Sequence, residues 1–171
     1  MSDLSVRYKN FWADGESWDF PVDTNPVTLT NIYRLLADGF VIGARFLRYP
    51  GDDTNHIALI QDAVTGENLR AAAFPHYGPN AMPKWESVYF HPRYRCTAGD
   101  LVQLAVWYPH GAYARQLDYA GASAIDHGNI ELPGSDELGV TAGLFTYSAS
   151  LNPGSAYSGS VYAVDVIYRE D

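Results

Sequence analysis

The chain has 171 residues and a formal net charge of −9 at pH 7. This length suits one domain, or one domain with an arm, and the acidic balance disfavours nucleic acid and anionic membranes as partners because both are negatively charged. Hydrophobic residues make up 47% of the chain, which predicts a packed core, and no apolar run reaches the roughly 18 residues that a membrane-spanning helix needs.

Residues 1–26 differ from the rest because aromatic side chains stand among Asp, Gly and Pro without a clear period. This pattern predicts an extended arm, followed by a single domain over residues 27–171. The aromatic residues of the arm are Phe11, Trp12, Trp18 and Phe20. Exposed aromatic surface is costly in water, so we expect them to pack on the chain's own domain or, as an assembly arm, on a neighbouring subunit.

From residue 27 onward, short strand-forming stretches alternate with turn signals such as Asp38-Gly39. Predicted strands cover residues 27–36, 40–49, 56–61, 68–74, 84–90, 101–108, 111–115, 144–147 and 160–168. Two long connections, residues 116–139 and 148–159, interrupt this rhythm, and loops of such length usually have a function or are held by a partner. Strands without a convincing helix between them predict an all-β fold, an antiparallel β-sandwich that is jelly-roll-like.

The second predicted strand alternates apolar residues from Phe40 to Phe46, which is typical of a half-buried strand. Arg45 in this strand and Asp165 in the last predicted strand are lone charges in apolar surroundings. Charged side chains are rarely buried without a partner. We therefore expect Arg45 and Asp165 to form an ion pair inside the sandwich.

Motifs of the common enzyme classes do not occur in the sequence, and it predicts neither a catalytic residue nor a cofactor. Closely spaced oxygen ligands follow the turn at residues 49–51. Asp52, Asp53 and Asn55 are candidate ligands for Ca²⁺, which takes several oxygen atoms. Their spacing differs from that of the helix–loop–helix calcium motif, and a plain acidic turn is the favoured interpretation.

Two aromatic segments are candidates for a ligand-contact surface. Tyr77 lies in residues 76–80, and Trp107, Tyr108 and Tyr113 lie in residues 107–113. Tyr and Trp combine a flat apolar face with a polar group, which suits both sugar rings and protein partners. The alternative is that Trp107 belongs to the core and the tyrosines cover its rim.

The order of these motifs resembles a domain-of-unknown-function family of jelly-roll-like β-sandwich modules. The matching positions, between Leu29 and Tyr168, are Gly43, Arg45 and Phe46; Leu59, Gly66 and Leu69; Trp85, Val88 and Phe90; Thr97 to Asp100; Gly111 and Tyr113; and Val164 to Val166. Ile60 stands where the family has a Trp, so no ligand contact of that Trp is carried over. The resemblance implies a non-catalytic module of the kind found in secreted bacterial glycan-handling proteins and phage virion proteins.

The sequence starts with Met1 and shows no secretion leader, which favours a virion protein made in the host cytoplasm. We expect a bacteriophage minor tail, tail-tip or decoration subunit that forms a homo-oligomer, binds other virion proteins and can contact host-surface glycan. The alternative is a secreted, extracellular carbohydrate-binding module, and a glycan-active enzyme is the third interpretation.

Overall fold

Antiparallel β-strands and one short helix make up the protein, as described for residues 8–21, 23–151 and 153–171 by a computed structural model. The strands are β1 Val27–Leu35, β2 Gly39–Arg48, β3 Ile57–Asp62, β4 Asn68–Ala73, β5 Lys84–Cys96, β6 Leu101–Tyr108, β7 Arg115–Gln116, β8 Ile125–His127, β9 Ile130–Leu132, β10 Gly143–Thr146, β11 Val161–Tyr162 and β12 Val164–Glu170. The helix α1 covers Ser135–Leu138. The predicted all-β sandwich is confirmed.

The larger of the two main sheets, the large sheet, has the strand order β4-β3-β6-β1-β9-β8, and β10 also pairs with β1. β1 is its centre: β6 pairs along one side, while β10 and β9 share the other. The second main sheet, the small sheet, has the order β12-β2-β5, and β11 and β7 form a separate two-stranded ribbon.

The core fills the space between the large and small sheets. Fully buried side chains there include Tyr33 of β1 and Phe46 of β2. Asn31 Nδ2 donates hydrogen bonds to the carbonyl oxygens of Tyr162 and Val164 at 2.7 and 3.0 Å, and Tyr33 Oη donates to that of Val164 at 2.5 Å. Buried polar groups with partners fix orientation, so these bonds set how β11 and β12 lie against β1.

A β-bulge interrupts β2 at Ile42. On β12, the consecutive residues Ile167 and Tyr168 pair with Gly43 and Val41, so Ile42 has no partner there. Because side chains alternate between faces, an extra residue shifts this alternation by one. Phe40 and Arg45, five positions apart, therefore both lie on the outer face of the small sheet.

Residues 8–14 lie along β12 and close the edge of the small sheet. Lys9 and Tyr168 exchange backbone hydrogen bonds of 2.8 and 2.9 Å, which covers a strand edge that would otherwise be free to pair. Phe11 and Trp12 are only 2% and 1% exposed and belong to the core. The hypothesis that Phe11 and Trp12 dock on a neighbouring subunit is wrong, because their aromatic surface is buried in their own chain.

The following part of the arm crosses the outer face of the small sheet. Trp18 and Phe20 are half-buried and pack on a small cluster that includes Leu47 of β2 and Ala163. Trp18 also meets Trp85 edge-to-face, with ring centroids 6.0 Å apart. This cover explains why β2 is buried on both faces, so the half-buried strand predicted from its alternation is wrong.

Arg45 and Asp165 lie opposite each other in the register of β2 and β12, and Arg45 Nη2 lies 2.9 Å from Asp165 Oδ2. The expected ion pair is therefore present, but it lies beneath the arm on the outer face and not between the sheets. Asp165 also accepts hydrogen bonds from the backbone N–H groups of Phe11 and Trp12 at 3.1 and 3.0 Å. Arg45 completes the connection by donating to the carbonyl oxygen of Trp12 and to Asp14 Oδ1.

Burial raises the pKa of Asp165 to about 6, although Arg45 and the two backbone N–H groups favour the charged form. A charge removed from water needs such partners. The Arg45–Asp165 pair thus joins three parts of the chain, β2, β12 and the arm, at one buried point.

The strands lie where the sequence predicts them in most of the chain, but several regions differ. β5 continues to Cys96, beyond the predicted end at residue 90, and the predicted strand over residues 160–168 is divided into β11 and β12. Residues 111–115 form no strand apart from Arg115, at the start of β7. The long connection over residues 116–139 contains the β8–β9 hairpin and α1. β9 joins the large sheet through Leu35 of β1, so its position depends on a partner far away in the sequence.

Candidate functional site

A cavity of about 330 Å³ opens where the arm, β7, β10 and β11 meet. Aromatic side chains and one charge of each sign surround it. Its lining residues are Pro21, Asp23, Tyr113, Arg115, Phe145, Tyr147, Tyr157 and Tyr162. We call this cavity the tyrosine pocket.

Backbone pairing brings these distant segments together. Arg115 of β7 lies opposite Tyr162 of β11. Arg115 also exchanges backbone hydrogen bonds of 2.9 Å with Asp19, which carries the arm to the pocket's edge. Phe145 and Ser155 pair in the same way at 2.8 and 3.2 Å. The long connection after β10 therefore folds back over that strand and forms the opposite wall.

The aromatic lining has a buried floor and an exposed rim. Tyr113 and Tyr162 are only 6% and 2% exposed, and their ring centroids lie 6.0 Å apart. Tyr147 and Tyr157 are 57% and 49% exposed. Phe145 meets Tyr147 edge-to-face with centroids 5.4 Å apart. The rim tyrosines thus offer ring faces to a ligand, while the floor tyrosines fix the depth of the pocket.

One carboxylate and one guanidinium are held at the pocket. Tyr147 Oη donates a hydrogen bond of 2.9 Å to Asp23 Oδ2. The guanidinium of Arg115 lies 5.2 Å from the ring centroid of Tyr157, and its Nε lies 3.3 Å from Asp19 Oδ2. Stacking on an aromatic ring orients a guanidinium without using its outer N–H donors. The pocket therefore combines oriented donors with an acceptor.

The hydroxyls of Tyr113, Tyr147 and Tyr162 stay protonated near neutral pH, because the surroundings raise the pKa of each. Burial raises the pKa of Tyr113 to about 12 and raises that of Tyr162 further. The hydrogen bond to Asp23 raises the pKa of Tyr147 as well. Protonated hydroxyls can both donate and accept hydrogen bonds, so these groups can bind a polar, uncharged ligand.

The four aromatic residues predicted to contact a ligand do not lie at one site in the structure. Tyr113 lines the tyrosine pocket, but Tyr77, Trp107 and Tyr108 do not. Tyr108 has no exposed surface and packs edge-to-face on Phe46, so the prediction that it contacts a ligand is wrong. Trp107 is half-buried within β6, whereas Tyr77 is 68% exposed. The two aromatic segments thus do not build one common surface.

Sequence reasoning did not select Asp23, Arg115, Phe145, Tyr147, Tyr157 or Tyr162. One signal could have found part of this set. Residues 148–159 form a long connection of the kind that usually has a function, and Tyr147 and Tyr157 lie near its two ends. Their convergence depends on the backbone pairing of Phe145 with Ser155, which no local pattern shows.

Asp52 is turned inward and belongs to a buried polar network. His56 Nε2 lies 2.6 Å from Asp52 Oδ2, and the backbone N–H and hydroxyl of Thr54 donate to Oδ1 at 3.0 and 2.6 Å. Burial opposes ionisation, but the bonds from His56 and Thr54 outweigh it and lower the pKa of Asp52. Arg48 Nη1 lies 3.7 Å away and adds positive charge. These groups occupy the carboxylate oxygens of Asp52 that would otherwise coordinate a cation.

The other two calcium candidates are not gathered around Asp52. Asp53 Oδ1 lies 2.9 Å from His76 Nε2, and Asn55 is exposed. Within residues 8–21, 23–151 and 153–171, no group of three or more His, Cys, Asp or Glu side chains is arranged to hold a metal ion. Asp52 and Asp53 thus contact two different histidines, His56 and His76, and do not share one centre.

The chain matches no family model, and no curated protein is significantly similar to it. The resemblance to the jelly-roll-like family of unknown function therefore stays a prediction. In the described part of the chain, α1 has four residues, and no helix is long and apolar enough to cross a membrane.

Proposed function

We propose that the protein is a non-catalytic carbohydrate-binding module and that the tyrosine pocket holds a neutral sugar. The observation that carries this proposal is one cavity in which exposed tyrosine rings stand beside Asp23 and Arg115. The size and the mixture of apolar faces with a few placed polar groups are those of a small-ligand site.

Sugars have two kinds of surface, and the pocket offers a match for each. The C–H groups on one side of a sugar ring stack on aromatic faces, and Tyr147 and Tyr157 present such faces at the rim. Hydroxyl groups both donate and accept hydrogen bonds. Asp23 accepts them, Arg115 donates them, and the opposite charges leave no strong preference for an ion.

Binding explains the site better than hydrolysis. Glycosidases commonly use two carboxyl groups placed on either side of the scissile bond. Among the described residues that line the tyrosine pocket, Asp23 is the one carboxylate, and its Oδ2 is already hydrogen-bonded by Tyr147. We therefore place glycan-active enzyme below carbohydrate binding.

The cellular setting stays a prediction. The bacteriophage interpretation relied partly on an aromatic arm that docks on other subunits, and the burial of Phe11 and Trp12 in their own chain weakens that argument. A glycan-binding module fits the host-contacting part of a virion and an extracellular bacterial protein alike. We keep adhesion to glycan as the shared function.

Calorimetric titration with cello-, chito-, manno- and xylo-oligosaccharides tests the proposal. We expect one of these series to bind and Tyr157→Ala to weaken that binding about tenfold, because a stacking face of roughly 1 kcal/mol or more is removed. Tyr77→Ala is the matched control, since Tyr77 is a highly exposed tyrosine outside the pocket. Absence of binding by every series, or equal loss in both variants, would contradict the proposal.

A further inference from the structure

A second surface lies on the outer face of the small sheet, around Phe40. In the register, Phe40 of β2 lies opposite Arg95 of β5 on one side and Arg169 of β12 on the other. Arg93 is two residues before Arg95 and faces the same ring. The guanidinium carbons of Arg93, Arg95 and Arg169 lie 4.1, 5.6 and 5.5 Å from the ring centroid of Phe40.

These three cations have unequal partners. Arg95 Nη2 forms a 2.8 Å ion pair with Asp171, and Glu170 pairs with Lys9. Arg93 and Arg169 have no ion pair within the described ranges 8–21, 23–151 and 153–171. Asp171 is thus bound to Arg95 and Glu170 to Lys9, which leaves the exposed Arg93 and the half-buried Arg169 beside the Arg95–Asp171 pair in a chain of net charge −9.

A groove of about 640 Å³ adjoins this arginine cluster. Between the pairs Val41–Tyr94 and Gly43–Tyr89, β5 has extra residues opposite Ile42, and this excursion forms one side of the groove. Its lining includes Tyr8, Ile42, Tyr89, Arg93 and Arg169. Tyr8 and Tyr89 are each 52% exposed. We call this surface the arginine groove.

We propose that the arginine groove is a second binding site and that it takes an acidic sugar, with the carboxylate or phosphate of the sugar bound between Arg93 and Arg169. Guanidinium groups bind oxyanions through paired N–H donors, and stacking on Phe40 presents them in a fixed orientation. An anion between the cations also relieves their mutual repulsion. The exposed rings of Tyr8 and Tyr89 provide faces for the body of the sugar.

Because the positive charge is confined to a small area, a small acidic sugar is a better ligand for it than nucleic acid or an anionic membrane. Nucleic acid and anionic membranes are bound by extended basic surfaces. Here the cluster is confined to one end of a three-stranded sheet, and the remaining chain is strongly acidic. A small ligand with one to three negative charges can bind the arginine cluster without approaching the acidic surface of the remaining chain.

Calorimetric titration with trigalacturonate, its methyl ester and glucose 6-phosphate tests this site. We expect trigalacturonate or glucose 6-phosphate to bind and the uncharged methyl ester to bind at least about tenfold more weakly, since it lacks the anionic oxygens. Whichever of the two anionic probes binds more tightly identifies carboxylate or phosphate as the recognised group. Equal affinity for trigalacturonate and its ester, with no binding of glucose 6-phosphate, would overturn the proposal.

Variants that each remove one positive charge show which residues bind the anionic probe. We expect Arg93→Gln and Arg169→Gln each to weaken binding of the anionic probe about tenfold. Lys84→Gln removes one exposed positive charge outside the groove and should leave binding unchanged. An equal loss in Lys84→Gln, or tighter binding of a DNA oligonucleotide or an anionic vesicle than of either acidic sugar, would overturn the proposal. Tyr157→Ala, in the tyrosine pocket, should not change binding of the anionic probe, so the two sites are tested separately.

Discussion

At one end of the small sheet's outer face, Arg45 is buried beneath the arm, whereas at the other end Arg93 and Arg169 surround Phe40 beside an open groove. Arg45 has Asp165, Asp14 and a backbone carbonyl as partners. Arg93 and Arg169 lie against the ring of Phe40 and have no ion pair among the described residues. The difference teaches that the same side chain serves stability where four of its five N–H donors are bonded, as in Arg45, and serves recognition where its donors remain available.

The largest expected loss of stability comes from removing the buried ion pair between Arg45 and Asp165. Asp165→Ala leaves the guanidinium of Arg45 buried without its main partner and frees the N–H groups of Phe11 and Trp12. We expect the free energy of unfolding to fall by about 3–5 kcal/mol in urea denaturation. Asp171→Ala removes the carboxylate from the exposed Arg95 pair, and we expect a loss of about 1 kcal/mol or less. Similar losses in the two variants would contradict the contrast.

The contribution of the buried Asp165 to the free energy of unfolding should also depend on pH. Because burial raises the pKa of Asp165 to about 6, the folded state holds this proton more tightly than the unfolded state does. The contribution of Asp165 to stability is then fully present below about pH 4 and is lost as pH rises through 6.

Urea denaturation of the wild type and of Asp165→Asn across this range measures that contribution, since the other titrating groups are common to both proteins. The wild-type advantage should decrease toward neutral pH by roughly 3 kcal/mol, an order-of-magnitude figure for a shift of about two pKa units at about 1.4 kcal/mol each. An advantage that grows as pH rises would show instead that Arg45 dominates and that the pKa of Asp165 is low.

A smaller effect is expected from Gly43, which lies beside the bulge between the two ends. A Cβ atom at Gly43 would lie 2.3 Å from the carbonyl oxygen of Val88, closer than van der Waals contact allows. Gly43→Ala should therefore reduce the free energy of unfolding by about 1–3 kcal/mol. Gly121→Ala is the control, because a Cβ atom there meets nothing within 4 Å. Equal melting temperatures for the two variants would show that β2 and β5 separate at little cost.

The fold was more predictable than the sites, and particular residues show why. Strands such as β2 and β6 were found from local alternation and turn signals. The Arg45–Asp165 ion pair could be predicted because each residue is the one charge in an apolar stretch, and such a stretch is visible in the local sequence. The bulge at Ile42 changes which residues share a face, and it depends on the pairing of β2 with β12 and β5.

The two candidate sites depend even more on contacts that are distant in the sequence. The tyrosine pocket forms only when Ser155 pairs with Phe145 and Asp19 pairs with Arg115. The arginine groove needs Phe40, Arg93 and Arg169 from three strands. Composition showed that aromatic residues were abundant, but it could not show which of them would be buried and which would remain available.

The bulge also determines where the gene can tolerate a change in length. Relative to β12, Ile42 is the extra residue of β2, so a single-codon deletion there would leave Val41 facing inward and Gly43 facing outward as before. A deletion elsewhere in β2 would instead move every side chain between the deletion and the bulge, or between the deletion and the end of the strand, to the opposite face of the sheet. Natural length variants of this strand are therefore expected to cluster at position 42.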